Sequence, residues 1–187
     1  MDRRFFSKLI ASLPLLLTLP RRALAAPVSS MKEIEELQKS WKTLLADGAD
    51  IAASPAPLNR PNAEWKKTLS PAAYDVLREE GTERAGTSPL NAEKRPGVFV
   101  CAGCALPLFT SAMKYDSGTG WPSFFTAIPG AFGTKTDHKI IYPRKEYHCA
   151  RCGGHHGHIF DDGPPPTGLR YCNNGVALRF IPKAAKS

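Results

Sequence analysis

Five cysteines carry the first chemical signal in this chain. Four form two pairs, Cys101-Ala102-Gly103-Cys104 and Cys149-Ala150-Arg151-Cys152, and the fifth, Cys172, stands alone. A Cys-x-x-Cys turn aims two sulfurs at one point, and two such turns supply the tetrahedral thiolate set of a closed metal site. Soft sulfur donors in that array suit zinc, with iron as the competitor. Two disulfides, or four buried thiols, are the plainer alternatives in an oxidising compartment. One pair alone would leave the matter open; two pairs favour a single Zn2+ bound by Cys101, Cys104, Cys149 and Cys152. The 44 residues between the pairs mean that the ion would clamp distant segments of one domain. With no open coordination position it would contribute folding free energy, on the order of 10 kcal/mol.

Cys172 lies between Arg170 and Asn174, and a guanidinium close to a thiol favours the nucleophilic thiolate. A lone buried cysteine is the bland alternative. The run Cys152-Gly153-Gly154-His155-His156-Gly157-His158 puts three histidines after the second pair, the last of them 14 residues before Cys172. Imidazole beside sulfur is suited to moving protons to and from a sulfur-bound oxygen. The same histidines could instead be further metal ligands or loop residues. A third segment, Asp116-Ser117-Gly118-Thr119-Gly120-Trp121-Pro122-Ser123-Phe124-Phe125, holds aromatic residues on a Gly/Pro-shaped loop. Such a loop can wall an apolar methyl or sulfur group, or be ordinary core.

The elements that must position these groups are short. Ser30-Met31-Lys32-Glu33 has the capping-box pattern, and Ile34, Leu37, Trp41 and Leu44 follow at helical spacing. Residues 46–61, rich in Ala, Pro, Asp and Asn, read as a linker. Ser70-Pro71 marks a helix start, with the helix running to Gly81. Beyond it, Gly97–Val100, Lys139–Tyr142, His158–Phe160 and Gly175–Ile181 read as strands, the last largely buried. The expected fold is mainly β: antiparallel sheets with peripheral amino-terminal helices and a metal clamp.

The chain start reads as an address. Arg3-Arg4 precedes an apolar run from Leu9 to Leu19, too short to span a membrane comfortably, and Ala23-Leu24-Ala25 fits a small-residue cleavage site. The paired arginines resemble a bacterial twin-arginine export signal. The expected organisation is therefore a signal peptide over 1–25, a helical extension and linker over 26–62 and a domain over 63–187. The protein would be exported, in a bacterial periplasm, without stable membrane association once cleaved. Because residues 1–25 hold five basic and one acidic residue, removing them lowers the formal charge from +8 to +4. No Lys/Arg run with interleaved aromatics remains, which speaks against nucleic acid as a partner.

Taken together, these segments resemble the B-type peptide methionine sulfoxide reductases, which act on the R epimer of methionine sulfoxide. The likeness runs in order over roughly residues 64–182. It is carried by Trp65, Gly81-Thr82-Glu83-Arg84, both Cys-x-x-Cys pairs, Ser117 to Phe124, His155 to Gly163, and Gly168 to Cys172. It implies two antiparallel sheets, a zinc site remote from the nucleophile, and an oxidoreductase that repairs oxidised proteins. Carried over, Cys172 would attack the sulfoxide sulfur and become a sulfenic acid. His155 and His158 would bind and protonate the oxygen through water. Asp162, Arg170 and Asn174 would order that network, and Trp121, with Phe180, would wall the methyl group.

One departure bears on the reductant. Many members carry a second cysteine where Thr119 stands here, and use it to resolve the sulfenic acid as a disulfide. Without it, the resemblance implies an external reductant: a thioredoxin-like or glutaredoxin-like protein, or a small thiol. His156, where Leu is common, is a second departure. A zinc-stapled module that only binds oxidised or apolar peptides would need neither Cys172 nor His158, and their joint presence argues for the enzyme.

Overall fold

The computed structural model describes residues 28–137 and 143–183. The expected signal peptide and the strand expected at Lys139–Tyr142 lie outside the described residues.

The amino-terminal part is helical for the local reasons expected. Helix α1, Met31–Lys39, starts at Ser30, whose side chain accepts from the Glu33 amide while the Glu33 carboxylate returns to the Ser30 amide. A 3-10 turn, Ser40–Leu44, follows. A short helix that the sequence did not advertise, α2 (Asn62–Thr68), buries Trp65. Helix α3, Pro71–Glu79, begins at the Ser70 cap and stops at Glu80 in the left-handed region, φ 56°.

Among the described residues nine strands follow: β1 Gly97–Cys101, β2 Pro107–Thr110, β3 Lys114–Tyr115, β4 Ser123–Phe124, β5 Phe132–Asp137, β6 Arg144–Cys149, β7 His155–Phe160, β8 Arg170–Asn173 and β9 Leu178–Pro182. They make two sheets, one ordered β2-β1-β9 and one ordered β3-β4-β8-β7-β6-β5. All their pairings are antiparallel. The mainly β expectation is met. Phe99 from the small sheet packs edge-on against Phe124 of the large one at 5.1 Å between centroids, and Phe109 stacks on Phe124 at 3.9 Å. All three are fully buried, each contributing about 2–3 kcal/mol by leaving water.

The strand expected from Gly175 begins only at Leu178. Glu83 is the reason: its carboxylate accepts from the amides of Gly175 and Val176 at 2.6 and 3.0 Å. Those donors are thereby withdrawn from the ladder, and residues 175–177 close a 3-10 turn. In β9 only Leu178 is buried, so this edge strand is less enclosed than its apolar sequence suggested.

Two features of the large sheet set up the site. The first is a register row. Tyr115 pairs Ser123, Ser123 pairs Cys172, Cys172 pairs His158, His158 pairs Glu146 and Glu146 pairs Lys135. Residues directly opposite one another in antiparallel strands share a face, so six chemically distinct side chains cross the sheet in one line. The second is a bulge in β7. Tyr147 pairs Gly157 and His148 pairs His155, which leaves His156 as an extra residue. A bulge re-phases the strand: His155 and His158, three residues apart, come to one face, while His156 turns into the core beside Phe132 and Tyr147.

Candidate active site

The four paired cysteines converge. Their sulfurs all lie within 4.8 Å of one another. Cys101 Sγ is 3.7 Å from Cys152 Sγ, and Cys104 Sγ is 3.5 Å from Cys149 Sγ. These separations are far too long for an S–S bond, and all five cysteines are free. They match the roughly 3.8 Å edge of a tetrahedron with metal–sulfur bonds of about 2.3 Å. Contact with Cys104, then with Cys149 and Cys152, and burial push the Cys101 thiol up, so the four can ionise together only around a cation. The cluster can hold a metal ion and fits zinc. It ties the end of β1 to the end of β6, and Cys172 is not part of it.

Cys172 sits on β8 in a cavity of about 240 Å³. Trp121, His158, Phe160, Arg144 and Asn174 line the same cavity. Its floor requires glycine at position 157, where φ is +155° and a Cβ would stand 2.0 Å from the Cys172 carbonyl oxygen. Burial pushes the Cys172 thiol up, and Arg170 and the Thr119 hydroxyl pull it down without cancelling the burial. The resting form at neutral pH is therefore the thiol: Arg170 acts in the expected direction but is outweighed.

His158 faces Cys172 across the ladder, half-buried, with Nε2 2.8 Å from Asp137 Oδ2. Burial lowers its pKa, and Asp137 works against that, so the ring is neutral at pH 7. An ionised carboxylate only accepts hydrogen bonds, so Nε2 carries the proton and Nδ1 has a free lone pair. His155 is almost wholly buried. Its Nδ1 is 3.0 Å from Glu146 Oε1, and its ring meets that of His158 edge-on at 5.5 Å. It stands behind His158 and is not among the residues that line the cavity.

Arg170 and Asp162 form a bidentate pair at 2.7 and 2.9 Å, with the guanidinium 4.3 Å over the Phe160 ring. Asn174 is buried. Its Oδ1 accepts from the Glu83 amide at 2.9 Å and its Nδ2 donates to the His156 carbonyl at 3.0 Å, so it fastens β8 to its neighbours. The Trp121 indole donates to the Glu83 carbonyl at 3.1 Å.

Phe180 needs correction. It belongs to β9 in the small sheet, where its ring packs on Phe99 at 4.8 Å and under Arg95 at 5.4 Å. Strand β9 pairs with β1, not with β8, and Phe180 is not among the residues that line the Cys172 cavity. The phenyl ring that lines the cavity beside Trp121 is that of Phe160, two residues after His158 and therefore on the same face of β7. That alternation was legible in His158-Ile159-Phe160.

Sequence reasoning also missed Asp137, Arg144 and Glu146. Asp137, Glu146 and His158 place ligand atoms within 4.8 Å. The two carboxylates, however, face cations already: Arg144 Nη2 is 2.6 Å from Asp137 Oδ2 and Lys135 Nζ is 3.4 Å from Glu146 Oε1. The cluster is charge-compensated by side chains. Its signal in sequence was the run of charge Arg144-Lys145-Glu146.

Comparison with known proteins agrees with this geometry. The SelR domain matches residues 69–182. The chain is 48% identical over 126 residues to the peptide methionine sulfoxide reductase MsrB of Agrobacterium fabrum, covering 67% of this chain and 93% of that protein. It is 50% identical over 123 residues to the MsrB of Thiobacillus denitrificans, covering 65% and 93%. It is also 52% identical over 118 residues to the chloroplastic peptide methionine sulfoxide reductase B1 of Arabidopsis thaliana, covering 63% and 58%. With a SelR domain over most of its length and a lone cysteine facing a histidine beneath an indole wall, the chain belongs to the MsrB family of methionine sulfoxide reductases.

Proposed function

We propose that the protein reduces the R epimer of methionine sulfoxide in oxidised proteins, with Cys172 as nucleophile. The observation that carries this reading is the direct pairing of Cys172 with His158 inside a cavity walled by Trp121. A sulfoxide is polar at oxygen and apolar at methyl. A site with an imidazole on one side and an indole and Phe160 on the other fixes both arms at once, and so selects one epimer.

The resting protonation states set the proton route. The Cys172 proton passes to the free Nδ1 of His158, and Asp137 stabilises the imidazolium, as a carboxylate does behind a catalytic histidine. The thiolate then attacks the sulfoxide sulfur, and the imidazolium returns the proton to the sulfoxide oxygen. The hydroxyl then passes from the methionine sulfur to the Cys172 sulfur as the new sulfur–sulfur bond breaks, leaving a sulfenic acid and releasing methionine: sulfoxide sulfur gains two electrons, cysteine sulfur loses two. Glu146 and His155 hold His158 from behind. Arg170 with Asp162 orients the cavity wall and favours thiolate, and Asn174 locks β8 in place.

Thr119 cannot resolve a sulfenic acid, so an external thiol must. One thiol condenses with Cys172–SOH, releasing water and forming a mixed disulfide; a second reduces that disulfide and regenerates Cys172. A thioredoxin-like or glutaredoxin-like protein or a small thiol fills this part. The four-cysteine site holds structural Zn2+, which contributes stability and takes no part in turnover. Arg3-Arg4 and the apolar run after them support export to a periplasm, where the enzyme would repair exported proteins.

The test uses the zinc-loaded protein with separated R and S epimers of a blocked methionine sulfoxide and dithiothreitol, beside Cys172→Ser. Turnover of R alone, abolished in the variant, is the expected result. Turnover of S, or full activity in the variant, would refute the assignment. Mass spectrometry after one oxidising equivalent should find Cys172 sulfenic acid and no intramolecular disulfide.

A further inference from the structure

Three hydroxyls run from the backbone of the indole wall to the nucleophile. Ser123 Oγ donates to the Trp121 carbonyl at 3.1 Å. Ser117 Oγ lies 2.8 Å from Ser123 Oγ and 2.8 Å from Thr119 Oγ1. Thr119 in turn neighbours Cys172, and its hydroxyl draws the Cys172 thiol pKa down. Ser123 is fully buried, and the register row puts it beside Cys172.

Counting protons gives this chain a direction. With Cys172 as thiol there are four protons for four contacts, and each can be satisfied in the order Cys172 to Thr119 to Ser117 to Ser123 to the Trp121 carbonyl. With Cys172 as thiolate the sulfur can only accept. Thr119 must then donate to it, Ser117 to Thr119 and Ser123 to Ser117, and the Trp121 carbonyl loses its hydroxyl donor. Each hydroxyl turns about its own C–O bond, with no heavy atom displaced.

We propose that Thr119, Ser117 and Ser123 form a hydroxyl relay that reverses when Cys172 ionises, with Thr119 as a catalytic donor to the thiolate and the two serines as positioning residues. The inference rests on Cys172 being the nucleophile. It deepens that reading by assigning the thiolate a second partner, on the opposite side from His158. Burial of Cys172 makes the relay consequential, because a charge taken from water is held by whatever donors remain. The other charged or titratable groups around Cys172 are Arg170 and Asp162, Tyr115 from β3, Tyr147 from β6, and His158 with Arg144 across the cavity. None of these belongs to the hydroxyl chain, so their influence is common to the variants below.

The experiment measures the rate of iodoacetamide alkylation of Cys172 against pH in the full-length zinc-loaded protein, read from the Cys172 peptide by mass spectrometry. Thr119→Val, Thr119→Ser and Ser117→Ala are compared with the unaltered chain. Losing one donor to a buried thiolate should raise the midpoint by about one pH unit, a roughly tenfold slower reaction below the midpoint. Thr119→Ser should restore the profile. Ser117→Ala leaves the surroundings of the sulfur intact, so a shift in the same direction isolates the relay from local desolvation and keeps the test decisive should Thr119→Val fail to fold. A Ser117→Ala profile coincident with the unaltered chain, or a Thr119→Ser profile displaced like that of Thr119→Val, would overturn the relay. Epimer turnover, measured on the same samples, separates the two claims: alkylation shifts without R-epimer turnover would sink the reductase mechanism and keep the relay, and turnover without shifts would do the reverse.

Discussion

Replacing His156 by leucine should stabilise the protein, and more so in acid. The imidazole is fully buried against Phe132 and Tyr147, and among the described residues neither ring nitrogen has a hydrogen-bond partner. The neighbouring Asn173 amide is already committed: its Oδ1 accepts from the Tyr147 hydroxyl at 2.8 Å and its Nδ2 donates to the Asn174 carbonyl at 2.7 Å. An unmatched buried N–H costs about 1–3 kcal/mol at any pH where the ring is neutral. Burial also lowers the pKa from 6.5 to about 4. Because the folded-state pKa lies below the unfolded one, the unfolded chain takes up a proton that the folded chain refuses. The resulting stability is fully present above the unfolded value and is lost as pH falls toward the folded value. Integrated from pH 7 to pH 5, the loss is about 2 kcal/mol. Leucine carries neither penalty, though reshaping the contact with Phe132 would return about 1 kcal/mol. Urea midpoints of zinc-saturated protein at the two pH values, at unchanged m, measure this directly. The variant's advantage should grow by about 2 kcal/mol on going to pH 5; the lowered pKa of His158 affects both proteins alike and cancels. A variant whose midpoint falls as far as that of the unaltered protein would refute the reasoning.

Three further outcomes are expected. Chelating the metal, or replacing Cys149 by Ser, should lower the thermal midpoint by about 10 °C or more, since metal binding here is folding free energy; metal content and calorimetry check it. Phe160→Ala should raise KM about 3- to 10-fold, equivalent to roughly 1 kcal/mol of lost apolar contact. Phe180→Ala should instead cost roughly 1–2 kcal/mol of stability with KM unchanged, and steady-state kinetics beside denaturation separate the two. Asp137→Asn removes the interaction that holds the His158 pKa up, so that pKa should fall further. The imidazolium would then form less readily, and kcat/KM should drop about 10- to 100-fold with the acidic limb of its pH profile moved to lower pH.

Features governed by local chemistry were legible in the sequence. The Ser30 capping box, the Ser70-Pro71 helix start and the apolar run of β1 each depend on neighbours a few residues away. The four-cysteine cluster was legible because two identical turns impose the same demand. What escaped depends on distant partners. Strands β5 and β6 were hidden because Lys135, Asp137, Arg144 and Glu146 place charge where a half-buried strand usually has apolar residues. That burial is offset by pairing across strands, as between Arg144 and Asp137, which no local pattern reveals. Strand β9 was read too long because the Glu83 carboxylate arrives from more than ninety residues away. Phe180 was carried over from the resemblance, which does not say which sheet its strand joins; β9 lies in the small sheet.

The register row has a consequence for how this enzyme fails. Each of its six members comes from a different strand, so no hairpin or fragment contains a working site. A slip of one residue in any strand turns its contribution to the opposite face. A slipped β8 removes Cys172, and a slipped β7 removes His158, while the rest of the sheet can still pair. Activity is thus a report on register: it needs β7 and β8 paired so that His158 stands opposite Cys172, and a chain mispaired between those two strands is inert however complete the rest of its sheet.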